Sequence, residues 1–161
     1  LAPSFLEVLR QPGDLEARSG MQLGACFAGL AIENSMLGAT HALANPLTAE
    51  FGIPHGQAIG LMLPHVVRFN GQVVADQYLE LLEATGGAQG FPDPRSGVEG
   101  LADFVTGMAV AAKLPIRLRE CQVAPDRLPK LAEFAAKQWT GTFNPRPVGV
   151  GELLAIYEQA Y

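Results

Sequence analysis

Apolar residues recur at helical spacing from the first positions of the chain, at Leu1, Phe5, Leu6 and Leu9, and this pattern predicts a short helix. The run from Gln11 to Asp14 (QPGD) reads as a turn, with Asp14 placed to cap the helix that follows. From Leu15 to about Met36 small residues dominate, among them Gly20, Gly24, Ala25, Ala28, Gly29 and Ala31. Glycine in a helix interior costs about 1 kcal/mol per site relative to alanine. The pattern therefore predicts a buried helix whose glycines admit close neighbours, with Gly24, Gly29 and, just beyond it, Gly38 as the points of contact.

The stretch Gly38 to Phe51 reads as another helix, broken by Gly52 and Pro54, and Pro54 is placed to open the next one, through Gly60 toward Val67. Amphipathic runs follow at Val73 to Ala84, Val98 to Lys113, Pro125 to Trp139 and Gly151 to Tyr161. Only Leu114 to Val123 has the character of a strand. The connection from Gly86 to Gly97 carries two prolines and four glycines and is the expected mobile loop. The expected class is all-α, a helical bundle, without internal repeats.

Composition narrows the picture. Apolar residues make up 48% of the 161 positions and charged ones 17%, which predicts one ordered domain with extensive burial, an interface included. A formal charge of −5 argues against nucleic acid as a partner, since phosphate backbones are held by clustered Lys and Arg. Two cysteines, Cys26 and Cys121, form no CxxC pair and read as ordinary buried thiols in a reducing cytoplasm. Glu33, Asn34 and His41 interrupt the most apolar stretch, so no membrane span is expected. No targeting signal is visible, and the opening in mid-helical pattern, without an initiator Met, suggests a piece of a longer protein.

The chain has three histidines, His41, His55 and His65, and all fall within 25 positions. On one unbroken helix the fourteen residues between His41 and His55 would span roughly 21 Å, too far for one metal. A reversal at Gly52 and Pro54 removes that obstacle. Imidazole is a good ligand for Fe²⁺ or Zn²⁺, but two ligands hold a metal poorly, and Glu33 and Glu50 are the only local carboxylates. By spacing alone, satisfied core or capping histidines remain the plainer reading.

The motifs add to this. Asn34, Leu37 and Gly38 are followed by His41, Ala42, Ala44, Pro46 and Leu47, then by Pro54, His55 and Gly56, and then by Leu63, Pro64, His65, Arg68 and Asn70. This series resembles the signature region of the iron-containing (group III) alcohol dehydrogenases, and the tail, LPIRLRECQV with NPRPVGVGELLAIYEQAY, is similar to the end of that family. The resemblance implies that residues 1–161 are the C-terminal helical, metal-binding domain of the fold shared by dehydroquinate synthase-like and iron-dependent alcohol dehydrogenase proteins. The nucleotide-binding N-terminal domain would then be absent from this chain.

The family's metal ligands are an Asp and three His, of which the last two match His41 and His55. The implied cofactors are Fe²⁺ or Zn²⁺, and NAD or NADP held mainly by the other domain. The implied reaction is reversible oxidation of a small alcohol to an aldehyde or ketone, the metal acting as Lewis acid while hydride passes to or from nicotinamide. The chain alone is then expected to be inactive. A homodimer or higher homo-oligomer is implied as well.

Where most relatives carry a further histidine, four residues after the first of these ligands, this chain has Asn45. That position shares a helix face with His41 and is expected to look toward substrate or cofactor. An amide there can hydrogen-bond but cannot relay protons near neutral pH. No residue of the chain is assigned as catalytic with certainty. His65 reads as a structural hydrogen-bonding residue, Trp139 and Phe143 as core or surface, and Arg146 as a tie on the C-terminal turn. Other readings are a maleylacetate reductase, a glycerol dehydrogenase-like relative, or a non-catalytic helical interaction module.

Overall fold

The computed structural model describes residues 1–86 and 93–161. Among the described residues seven α-helices follow in chain order: α1 (Ala2–Arg10), α2 (Leu15–Ser35), α3 (Ala39–Phe51), α4 (His55–Ala84), α5 (Pro94–Ala111), α6 (Leu128–Ala135) and α7 (Val150–Gln159). Short 3-10 turns occupy Leu118–Cys121, Pro125–Arg127 and Trp139–Phe143. No strand occurs among the described residues, and none of their helices is long and apolar enough to cross a membrane.

Local chemistry sets several boundaries. The Asp14 carboxylate accepts from the backbone N–H groups of Glu16 (2.9 Å) and Ala17 (3.0 Å), as the QPGD turn implied. Asp93 caps α5 in the same way, through Arg95 and Ser96. Gly52 closes α3 in a left-handed conformation (φ 65°) and donates its N–H to the Thr48 carbonyl at 3.1 Å.

The main core is built around α3. Leu43 and Leu47 meet Leu61 and Met62 of α4, Leu131 of α6, and Leu153, Ile156 and Tyr157 of α7, all essentially inaccessible to solvent. The Tyr157 hydroxyl donates to the Leu43 carbonyl at 2.6 Å, which satisfies the phenol in an otherwise apolar interior. A smaller cluster joins the second half of α4 to α5 through Val67, Leu82, Val98, Leu101 and Ala102. Gly71 of α4 lies directly beneath Val98, so the two helices approach closely where no side chain intervenes.

Several sequence expectations are corrected. The helix from Pro54 and the run from Val73 are one helix, α4, kinked at Val74 (φ −131°, ψ 32°). The apolar pattern lapses there because Arg68 and Asn70 carry polar contacts while the helix continues. The Leu114–Val123 stretch is no strand: Lys113 and Gln122 have positive φ and Pro115 lacks a donor. Its Leu118 N–H instead bonds the Ala160 carbonyl at 2.9 Å.

The expected Pro125–Trp139 helix is shorter, because Pro125 opens a 3-10 turn and only Leu128–Ala135 is α-helical. Within the connection expected to be mobile, residues 87–92 lie outside the described residues. Its last part belongs to α5, where Gly97 packs beneath Leu79.

The largest correction concerns α2. It is a helix but not a buried one: Ala17 is its only buried residue, and Leu23, Phe27 and Leu30 are more than half exposed. Gly20 and Gly24 do admit Ser4 of α1 and Leu1 just before it, whereas Gly29 faces open space. Cys26, on the same helix, is exposed rather than buried, and Cys121 is half-buried.

Candidate metal centre

His41 and His55 are brought together by the break the sequence signalled. Ten helical residues carry the chain from His41 to Phe51, about 15 Å at 1.5 Å per residue. The step from Phe51 to His55 can reach back at most about 14 Å. A link that returns along α3, together with the two side chains, therefore closes the gap. The imidazole centroids lie 5.4 Å apart with their planes tilted by 47°.

Both histidines sit at the starts of helices, in fixed backbone. His41 lies in the first turn of α3, where Gly38 precedes the helix in extended conformation (φ −138°, ψ −155°). The Asn144 side-chain oxygen accepts from the Ala39 N–H at 3.2 Å, satisfying a donor that the helix itself leaves free. A Cβ on Gly38 would come within 3.1 Å of that oxygen, so the expected close contact at this glycine is present. His55 opens α4 directly after Pro54.

Asn144 does more than cap. Its amide and that of the buried Asn70 bond each other reciprocally at 2.7 and 3.0 Å, and it also donates to the Arg146 carbonyl at 2.6 Å. Arg146 in turn donates to the Phe69 carbonyl at 3.0 Å and stacks 3.9 Å above the Phe69 ring, the anchoring role its NPRP setting suggested. Sequence reasoning quoted Asn70 and named Arg146 but missed the Asn70–Asn144 pairing. The signal was there, since both asparagines lie in motif segments.

His41 is half-buried and His55 exposed, so the pair opens to solvent on the His55 side. Burial, and then the neighbouring His55 ring, hold the His41 imidazole below its usual range. Its neutral form, the one that binds metals, is thereby favoured.

The fit to a metal can be tested on these facts. Two imidazoles sharing one ion at ~2.0–2.1 Å bring their ring centres to roughly 5 Å apart, close to the separation observed. Neutral nitrogen donors suit Fe²⁺ or Zn²⁺. Among the described residues no group of three or more His, Cys, Asp or Glu side chains could complete a metal site. The two imidazoles are thus spaced as two ligands of one ion would be, with no third candidate ligand grouped beside them among the described residues.

Asn45 lies one turn beyond His41, and its side-chain N–H donates to the Gln138 side-chain oxygen at 2.9 Å. That partner was not anticipated. Gln138 leads into Trp139–Phe143, where a Cβ added to Gly141 would lie 3.6 Å from that of Ala42. Trp139 and Phe143 are exposed and pack edge to face at 5.9 Å. His65 lies elsewhere, half-buried between α4 and α5, and among the described residues it makes no hydrogen bond, so its expected hydrogen-bonding role is not realised.

Comparison with known proteins adds an independent line. The model of the Fe-containing alcohol dehydrogenase family, C-terminal, matches residues 2–161. The 1,3-propanediol dehydrogenase of Klebsiella pneumoniae is 29% identical over the whole chain, which spans 42% of that relative. Among solved structures, a 1,3-propanediol oxidoreductase aligns with a TM-score of 0.95 at 29% identity, over 99% of this chain and 42% of its own. An alcohol dehydrogenase from Oenococcus oeni aligns with the same TM-score at 25% identity, again over 99% and 42%.

Proposed function

The chain belongs to the Fe-containing alcohol dehydrogenase family, as its C-terminal region, and on that premise we propose that His41 and His55 are two ligands of a catalytic Fe²⁺ or Zn²⁺ ion in the whole protein. The observation that carries this reading is the 5.4 Å approach of two imidazoles from the starts of successive helices. The remaining ligands, and a nucleotide-binding N-terminal domain for NAD or NADP, come from the part of the relatives that this chain does not span. The exposed apolar side chains of α2 fit the same arrangement.

The reaction is reversible oxidation of a small alcohol to an aldehyde or ketone, with hydride exchanged with nicotinamide, in a cytoplasmic homo-oligomer. A bound ion supplies Lewis acidity toward an oxygen of the substrate. The chain's own groups have narrower tasks. His41 and His55 present ring nitrogens from rigid helix starts, so little order is lost when they bind. Asn45, with its N–H directed to Gln138, keeps its side-chain oxygen as an acceptor for a hydroxyl or a carboxamide. An amide cannot relay a proton near pH 7, so proton release depends on other groups or on water.

The test is metal content and turnover of the whole protein. His41→Ala and His55→Ala each lower bound iron or zinc and abolish alcohol oxidation, a chelator reproduces the loss, and ferrous iron restores the unmutated protein. The 161-residue chain alone turns over no alcohol. Undiminished metal and rate in either variant would overturn the assignment.

A further inference from the structure

Asn144 is bonded to its limit. A side-chain amide has two acceptor and two donor positions, and Asn144 uses all four. Its oxygen accepts from the Ala39 N–H at 3.2 Å and from the Asn70 side-chain N–H at 3.0 Å. Its nitrogen donates to the Asn70 side-chain oxygen at 2.7 Å and to the Arg146 carbonyl at 2.6 Å. No other side chain of this length meets two donors and two acceptors at once: aspartate lacks the donors, and serine has only one.

These bonds join three separate pieces of the chain. Ala39 begins α3, two positions before His41, and the Gly38 carbonyl accepts from the His41 N–H at 3.2 Å. Asn70 lies on α4, the helix that His55 opens, about 22 Å further along its axis. The tail that carries Asn144 is pinned to the same helix, because Arg146 bonds the Phe69 carbonyl and stacks on the Phe69 ring. The clasp therefore refers the start of one histidine's helix to the body of the other's.

That reference is needed because the covalent link between the helices is pliant. α3 ends at Gly52, in a left-handed conformation, and His41 lies at the far end of the helix, roughly 16 Å away. Each degree of tilt about Gly52 moves His41 by about 0.3 Å over that length. Metal–ligand distances hold to about ±0.2 Å. The apolar core around α3 limits the tilt, but such contacts are not directional, whereas hydrogen bonds are.

Resting on the assignment of His41 and His55 as ligands, we propose that Asn144, together with Asn70, is a positioning residue of the metal site. The clasp sets the start of α3 against α4 and so holds His41 at the separation from His55 that a single ion spans.

The experiment is a zinc titration of the 161-residue chain at neutral pH, followed by the ring-proton signals of its three histidines. In the unmutated chain His41 and His55 respond together and saturably, and His65 does not. Asn144→Ala and Asn70→Ala each weaken zinc binding by about tenfold or more. Asn70→Ala leaves the Asn144 oxygen on the Ala39 N–H, so a residue that merely capped the helix would keep full affinity in this variant. Leu82→Ala, a buried truncation in the α4–α5 cluster, controls for lost stability and keeps the zinc affinity. Circular dichroism checks each fold.

Where an asparagine variant does not fold, Arg146→Gln reads the same quantity, since it loosens the tail from Phe69 and weakens zinc binding severalfold. Unchanged affinity in a folded Asn70→Ala or in Arg146→Gln overturns the proposal, as does an equal loss in Leu82→Ala. Zinc that leaves His41 and His55 of the unmutated chain unmoved overturns the ligand assignment itself, a failure distinct from the others.

Discussion

α2 and α3 are consecutive helices, both rich in alanine and glycine or other small residues, yet they live in opposite environments. α2 has 21 residues and one of them is buried, whereas α3 has 13 and seven are buried. α2 is held at its start by the Asp14 cap and by Gly20 and Gly24 against α1. α3 is enclosed by α4, α6, α7 and the Trp139–Phe143 turn. Small residues permit close approach but do not cause it. What buries α3 is the set of large apolar side chains that other helices turn toward it, and α2 has no such set within this chain.

The sharpest way to break this contrast is a pair of truncations. Leu47→Ala empties a fully inaccessible position and costs about 2–5 kcal/mol. Phe27→Ala, at a position 60% exposed, costs less than about 0.5 kcal/mol in the 161-residue chain. Urea unfolding of both variants measures the difference. Comparable losses would mean that α2 is packed after all.

A smaller effect compares two asparagines. Asn144→Ala leaves the buried Asn70 amide and the Ala39 N–H without their partner and costs about 1–3 kcal/mol. Asn34→Ala on α2 removes only an exposed bond to the Leu30 carbonyl, and its thermal midpoint stays close to that of the unmutated chain.

The smallest effect is a pH slope that belongs to the packed region. His65 titrates near 6.5 in the unfolded chain and at about 4 in the fold. A depressed folded pKa stabilises at pH above the unfolded value, so stability declines as pH falls from about 6.5 toward 4. Partial exposure reduces the loss to the order of 1–2 kcal/mol. Urea midpoints at pH 7 and pH 5 give the slope, and His65→Gln flattens it.

Much of this was legible in the residues. The Asp14 cap, the Gly52–Pro54 break and the order of the helices follow from local chemistry that acts within a few residues. The histidine convergence was stated as a possibility that the break allows, and 5.4 Å is its measure. The exposure of α2 was not legible, because glycine and alanine mark what a helix can tolerate and say nothing of what meets it. Gln138 beside Asn45 was equally hidden, since 93 residues separate them and neither carries a motif for the other. The strand expectation failed for a simpler reason: a short apolar run needs an edge to pair with, and Pro115 and the positive φ values at Lys113 and Gln122 deny it one.

The reciprocal amide clasp between Asn70 and Asn144 also has an evolutionary side. A side chain 105 residues downstream of Ala39 fixes the turn that carries His41. Replacing one asparagine by aspartate would set a carboxylate against a carbonyl oxygen in a site where water is scarce. Positions 70 and 144 are thus expected to drift as a unit across related sequences, and the tail of the chain inherits the constraint of the turn that carries His41.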